Sequence, residues 1–369
     1  MKNHTLDSKI RPAVFELTPY IPAKPVEETA RELGLSRIVK LDANENALGA
    51  SPKALAAVTG QLDSLNRYPD GYFQGLRHAL AGYWGVKEDQ IIAGNGSDEV
   101  LSLIAQTFLD QGDEMIVVDP TFSSYEFYAT VMGARVIHLR LEPETFVLDV
   151  DKVLNAVTER CKIVCVCTPN NPTGLLIDRA SMERLVRRLP KDVLLVVDEA
   201  YFEYVTDEDA VSAMEYVGGD RLLLVSRTFS KIYGLAALRV GYAVTSRAVA
   251  DYMGRVRSPF NVNSLAQAAA AAAVGDEEHR RASREMNEEG KAFLYALFDR
   301  LNIPYLPTEA NFIFAKTGNA DRIREKLMEQ GVIIRASSSY GDDHIRVTVG
   351  TMEENRLFAA ALERALKEI

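Results

Sequence analysis

From Ile91 onward the chain alternates between two patterns. Short apolar runs (QIIAG, EMIVVDP, ARVIHLRL, CKIVCVCTP, DVLLVVDEA, RLLLVSRTFS) are spaced by segments with apolar residues at helical intervals: SDEVLSLIAQTFLD, SSYEFYATVMG, DVDKVLNAVTE and RASMERLVRRL. The apolar runs are continuous rather than alternating, as in strands covered on both faces. Repetition of strand and helix predicts an α/β fold, a mostly parallel sheet with helices on both faces and right-handed crossovers.

The pattern changes after Val274. DEEHRRASREMNEEGKAFLYALFDRLN reads as one long charged amphipathic helix or a pair. Strand NFIFAK, a helix around ADRIREKLMEQ, strands GVIIRAS and HIRVTVG and a terminal helix from Glu353 follow, which together make a smaller α+β unit. Residues 1–45 carry few such signals and join that unit or form an arm. The expected division is a large domain over 46–272 and a small domain over 273–369, with 1–45 as an arm and part of the small domain. A chain of 369 residues can bury cores of that size without disulfide or metal support.

Charge narrows the partners. With 42 Lys and Arg against 52 Asp and Glu the net charge is −10, and no basic stripe is present, which argues against nucleic acid. No apolar run reaches the 18 residues of a membrane span, and MKNHTLDSKIRP lacks the apolar core of a signal peptide. Cys161, Cys165 and Cys167 crowd into one strand, an odd number without a second ligand pair. They read as buried thiols of a cytoplasmic protein, and no metal is expected.

In an open α/β sheet, ligands bind at the carboxyl ends of the strands. After QIIAG come Asn95, Gly96, Ser97 and Asp98 and then a helix, whose free N–H groups and dipole suit an anion. This is neither G-K-[ST] nor G-x-G-x-x-G. Phe122 follows EMIVVDP and can stack on a flat ligand or belong to the core, and Asn171 sits in the rigid turn TPNNPTG. Asp198 ends a buried strand and needs a cationic or donor partner, with Tyr201 three residues on. Thr228, Ser230 and Lys231 follow RLLLVS, and Arg239 lies beyond a glycine-rich stretch. A lysine in a poorly solvated crevice loses part of its basicity and becomes nucleophilic. Lys, buried Asp, helix N-terminus and Arg on one sheet edge together suit pyridoxal 5'-phosphate.

The segments LTPYIP, LDANENALG, RYPDG, GNGSDEV, PTFSSY, TPNNPTG, VVDEAYFEY, RTFSKIYGLAALRVGY, PFNVNSLAQAAA, ANFIF and IRVTVGTMEEN carry a resemblance to the fold-type I pyridoxal-phosphate aminotransferases, and within them to the histidinol-phosphate aminotransferase branch. The resemblance implies a seven-stranded large-domain sheet and a homodimer with shared active sites. It implies Lys231 as the Schiff-base lysine and proton carrier, and Asp198 as partner of the pyridine nitrogen. Tyr201 and Asn171 would contact the ring oxygen, and Phe122 would stack on the ring. Gly96, Ser97, Asp98, Thr228, Ser230 and Arg239 would line the cofactor's phosphate side, joined by Tyr68 of a second copy. Arg346 would take the acidic end of the substrate, Arg335 and Tyr20 a substrate phosphate, and Asn44 would lie in a flexible segment at the site's opening. The implied reaction exchanges an amino group between histidinol phosphate and 2-oxoglutarate, in histidine biosynthesis.

Ala237 stands where the family usually has Gly, Ala47 where it has Pro, and ASSSYG replaces a Pro-containing segment after Arg335. The last of these borders the substrate and keeps aromatic amino acid transamination and threonine-phosphate decarboxylation open. Two readings from other classes are a Ser230–Lys231 hydrolase dyad and a cofactor-binding regulator without turnover.

Overall fold

The computed structural model describes residues 4–19, 26–336 and 343–369. Strands β2 (Ile91–Gly94), β3 (Glu114–Asp119), β4 (Arg135–Arg140), β5 (Cys161–Cys167), β6 (Leu194–Asp198), β7 (Leu223–Thr228) and β8 (Gly241–Thr245) form a seven-stranded sheet in the order β2-β8-β7-β6-β5-β3-β4. All pairs from β7 to β4 are parallel, whereas β8 runs antiparallel to both β7 and β2. The parallel expectation therefore holds for the centre, and β8 is the strand that the apolar runs did not reveal. Its sequence GYAVT is short, opens on glycine and follows the loop 229–240. That glycine is required, because a Cβ on Gly241 would collide with the backbone nitrogen of Ser97. The close approach brings the N-terminus of the helix Gly96–Phe108 to the end of β7.

β6 and β7 are buried along their whole length, as their continuous apolar runs demand. β4 has only exposed and half-buried positions because it is the sheet's edge.

A second sheet holds β1 (Val39–Leu41), β9 (Tyr305–Leu306), β10 (Phe312–Lys316), β11 (Val332–Ala336) and β12 (His344–Thr348), in the order β1-β11-β12-β10-β9. β1 pairs with β11 in parallel, which places Val39–Leu41 in the sheet of the C-terminal strands. The charged segment after Val274 is one helix, Glu277–Leu301, not a pair. Its apolar face, Leu294, Leu297 and Phe298, packs into the core built on Ile313, Val347 and Phe358. Thr351 and Glu354 form a capping box that starts the last helix at Met352.

The three cysteines are free and buried, and burial pushes the Cys161 thiol up to about 11. No helix among the described residues is long and apolar enough to cross a membrane.

Candidate active site

Because β3, β5, β6 and β7 are parallel, their carboxyl ends open on one edge. Arg227 locks two of those ends together. It lies buried between the rings of Trp84 and Phe202, 4.3 and 5.0 Å from their centroids, and pairs with Glu199 and Glu203 just beyond β6. With two carboxylates for one cation, this arginine's charge is fully compensated.

Asp198, the last residue of β6, is 97% buried and receives two hydrogen bonds. Tyr125 Oη donates to Oδ2 at 2.7 Å, and the amide of Ala200 donates to Oδ1 at 3.1 Å. The expected partner is thus a neutral donor. No cation pairs with this carboxylate among the described residues, and burial raises it to about 6. A protonated ring nitrogen is the kind of group such a carboxylate lacks.

Lys231 follows β7 after one turn, fixed where the Ser230 amide donates to Thr228 Oγ1 at 3.1 Å. Its Nζ donates to the carbonyl of Ala43 at 3.0 Å and stands 5.5 Å from the ring centroid of Tyr201. Burial, reinforced by the nearby Arg346 charge, lowers its amine to about 8. No hydrogen bond among the described residues joins Ser230 to Lys231, so the hydrolase dyad loses its basis.

Arg346, on β12, is another buried cation. It donates to Asn171 Oδ1 at 2.6 Å and to the Asp42 carbonyl at 2.7 Å, and its guanidinium lies 5.4 Å from the Phe312 ring centroid. Both acceptors are neutral, and Nε has no partner among the described residues. Unlike Arg227, this cation has no carboxylate within 4.0 Å among the described residues, which is the chemistry of a receptor for a ligand's carboxylate or phosphate.

The helix Gly96–Phe108 has no side-chain cap at Asn95, so its first N–H groups face the site without a capping acceptor. Gly96 has φ +79°, and a Cβ there would come within 2.6 Å of the Arg239 guanidinium. Arg239 reaches this terminus from its own left-handed conformation, φ +55°, and pairs with Asp98 at 3.2 Å. The side chain of Asp98 therefore serves Arg239. Thr228 pairs with Gly241, which abuts the helix terminus at Ser97, and half-buried Phe122 lies edge-on to Tyr125, the residue that donates to Asp198, with centroids 5.7 Å apart.

Other predicted residues lie differently. Asn44, expected in a flexible segment, is instead 99% buried and pinned. It takes φ +56°, which asparagine tolerates, and bonds Thr348, Tyr201 and Asn311. Its burial leaves no water to replace those bonds, and that fixes it. Arg335 is exposed on β11, opposite Arg346 in the strand register. Tyr68 is 83% exposed and stacks on Phe260, centroids 4.8 Å apart. Tyr20 and residues 337–341 lie outside the described residues.

Sequence reasoning missed Tyr125, Thr348 and the carbonyls of Asp42 and Ala43. Tyr125 had a faint signal, three residues after Phe122 at a helix start. Backbone carbonyls have none.

The family model for aminotransferase class I and II matches residues 36–362. A histidinol-phosphate aminotransferase of Moorella thermoacetica is 46% identical over 361 residues, 97% of this chain and 93% of that protein. One from Symbiobacterium thermophilum is 43% identical over 363 residues, 98% of this chain and 99% of that one. The crystal structure of histidinol-phosphate aminotransferase from Sinorhizobium meliloti in complex with pyridoxal-5'-phosphate superposes with a TM-score of 0.89 at 25% identity, covering 98% of each chain.

Proposed function

The chain belongs to the class I and II aminotransferase family, and from that premise we propose that it exchanges the amino group between L-histidinol phosphate and 2-oxoglutarate, in histidine biosynthesis, with pyridoxal 5'-phosphate as cofactor. The observation that carries this reading is the pair of buried charges without an ion-pair partner among the described residues, the Asp198 carboxylate and the Arg346 guanidinium, together with a lysine that burial and the Arg346 charge lower to about 8. The substrate rests on the relatives' names and their identity over nearly the whole chain.

When bound, the cofactor supplies an electron-withdrawing ring that accepts the electron pair left as the substrate Cα loses its proton. Asp198 holds a proton on the ring nitrogen by opposing its charge. Tyr201 and Asn171 hydrogen-bond the ring oxygen, and Phe122 covers the ring. The N–H groups of Gly96, Ser97 and Asp98 hold the cofactor phosphate together with Thr228, Ser230, Arg239 and Tyr68 of a second copy. Lys231 Nζ takes the Cα proton and returns it, a task for which an amine lowered to about 8 is suited near neutral pH. Arg346 takes the substrate's acidic end, and its fork fits carboxylate and phosphate in turn. Arg335 and Tyr20 hold the phosphate of histidinol phosphate. The enzyme is a cytoplasmic homodimer, with a large domain over 46–272 and a small domain from both ends of the chain.

The test uses purified protein loaded with pyridoxal phosphate. Histidinol phosphate is expected to bleach the visible absorption, and phenylalanine and tyrosine to leave it. Bleaching by the aromatic amino acids alone would reassign the branch, and carbon dioxide release from phosphothreonine would make the chain a decarboxylase. Arg335→Ala is expected to raise KM for histidinol phosphate about tenfold, the low end for a charged hydrogen bond at an exposed site, with the absorption intact. An unchanged KM rejects that role.

A further inference from the structure

We infer that Thr348 is a positioning residue: through Asn44 it reserves the hydroxyl proton of Tyr201 for the cofactor's ring oxygen. The inference rests on the reading of Tyr201 given above.

Three buried side chains form a closed set of bonds. The Asn44 backbone N–H donates to Thr348 Oγ1 at 3.0 Å, and Thr348 Oγ1 donates back to Asn44 Oδ1 at 3.1 Å. Asn44 Nδ2 then donates to Tyr201 Oη at 2.9 Å. An asparagine amide can exchange its oxygen and nitrogen by a half-turn, so something must choose between the two orientations. In the exchanged orientation Nδ2 would meet the Thr348 hydroxyl, which already accepts the Asn44 backbone N–H. The Thr348 proton would then lack an acceptor among the described residues, and a buried donor without a partner is disfavoured by a factor of about ten or more.

The choice decides what Tyr201 can do. With Nδ2 facing it, the phenol oxygen accepts from Asn44 and its own proton is left for another acceptor. With Oδ1 facing it, that proton would be consumed by Asn44. The left-handed backbone of Asn44, φ +56°, and the bond from Asn311 Nδ2 to its carbonyl at 3.0 Å hold the amide in place for this selection. Thr348 and Arg346 lie two residues apart on one face of β12, so the strand that presents the substrate cation also sets the direction of the Tyr201 hydrogen bond.

The test is a pH titration of the visible absorption of the resting holoenzyme, without substrate. Tyr201 donating to the ring oxygen favours the deprotonated cofactor, so losing that donation raises the midpoint. Thr348→Val keeps the shape and removes the hydroxyl, and its midpoint is expected to rise by about half a unit to one unit. Thr348→Ser is expected to keep the wild-type midpoint. Asn44→Asp presents only acceptors to Tyr201 and is expected to raise the midpoint as well. An unchanged midpoint in Thr348→Val overturns the inference, even if cofactor affinity falls. Should that variant not fold, an unchanged midpoint in Asn44→Asp does the same. A wild-type protein that takes up no pyridoxal phosphate overturns the reading of the site itself, a different result from a wild-type band that the variants do not move.

Discussion

Replacing Lys231 by alanine is expected to lower kcat/KM for histidinol phosphate by about 10⁴-fold, the upper end for a positioned proton carrier, and to abolish the visible absorption of the bound cofactor. The amine is lowered to about 8 because it is buried and Arg346 repels its charge. It therefore exchanges protons near neutral pH, which arginine at the same position would not, and Lys231→Arg is expected to be as inactive as the alanine variant. The loss is not one of folding. A lysine with a lowered value is a cost to the folded state that sets in below its unfolded value and is full below the lowered one, and its hydrogen bond goes to the Ala43 carbonyl. The cofactor-free alanine variant should therefore melt no lower than the wild type at pH 7. Turnover within tenfold of wild type would remove Lys231 from the chemistry.

Asp198→Asn is expected to have the second largest effect, with opposite signs on activity and stability. Asparagine keeps the size and loses the charge that opposes a protonated ring nitrogen. Removing one preorganised electrostatic partner of this kind costs about 10²–10³-fold in kcat. In the cofactor-free protein the carboxylate is raised from 3.8 to about 6 by burial. The unfolded chain therefore loses the proton first as pH rises, and the folded state is penalised progressively between about pH 4 and pH 6. Above that window the penalty is full, on the order of 2–3 kcal/mol. Cofactor-free Asp198→Asn should resist urea better than wild type at pH 8, and the advantage should vanish near pH 4. An advantage that persists at pH 4 would mean that the substitution acts through packing rather than through the charge.

Much of this was legible from the residues alone. Continuous apolar runs require strands buried on both faces, and their alternation with helical segments leaves few arrangements besides a parallel sheet. Once the strands are parallel, the residues after them must share an edge, so Asp198, Thr228 and Lys231 could be grouped without coordinates. Lys231 and Arg239 could be grouped as candidates because they follow one buried strand within a single loop.

What the sequence left open depends on contacts between segments far apart in the chain. Whether a buried charge is compensated is such a property. Arg227 and Arg346 look alike in the sequence, yet one meets Glu199 and Glu203 and the other meets only neutral oxygens. β8 was hidden because a glycine-led strand is defined by what comes close to it, the helix terminus at Ser97, more than by its own apolar content. Asn44 was misplaced for the same reason: a polar segment reads as mobile until Thr348 and Asn311, some 300 and 270 residues away, are seen to satisfy it. Periodicity and residue type determined the sheet, its edge and the candidate side chains placed there, because those follow from local burial. The partners that set each group's charge and proton direction were decided only by the tertiary structure, because a hydrogen bond between distant segments leaves no periodic trace in either of them.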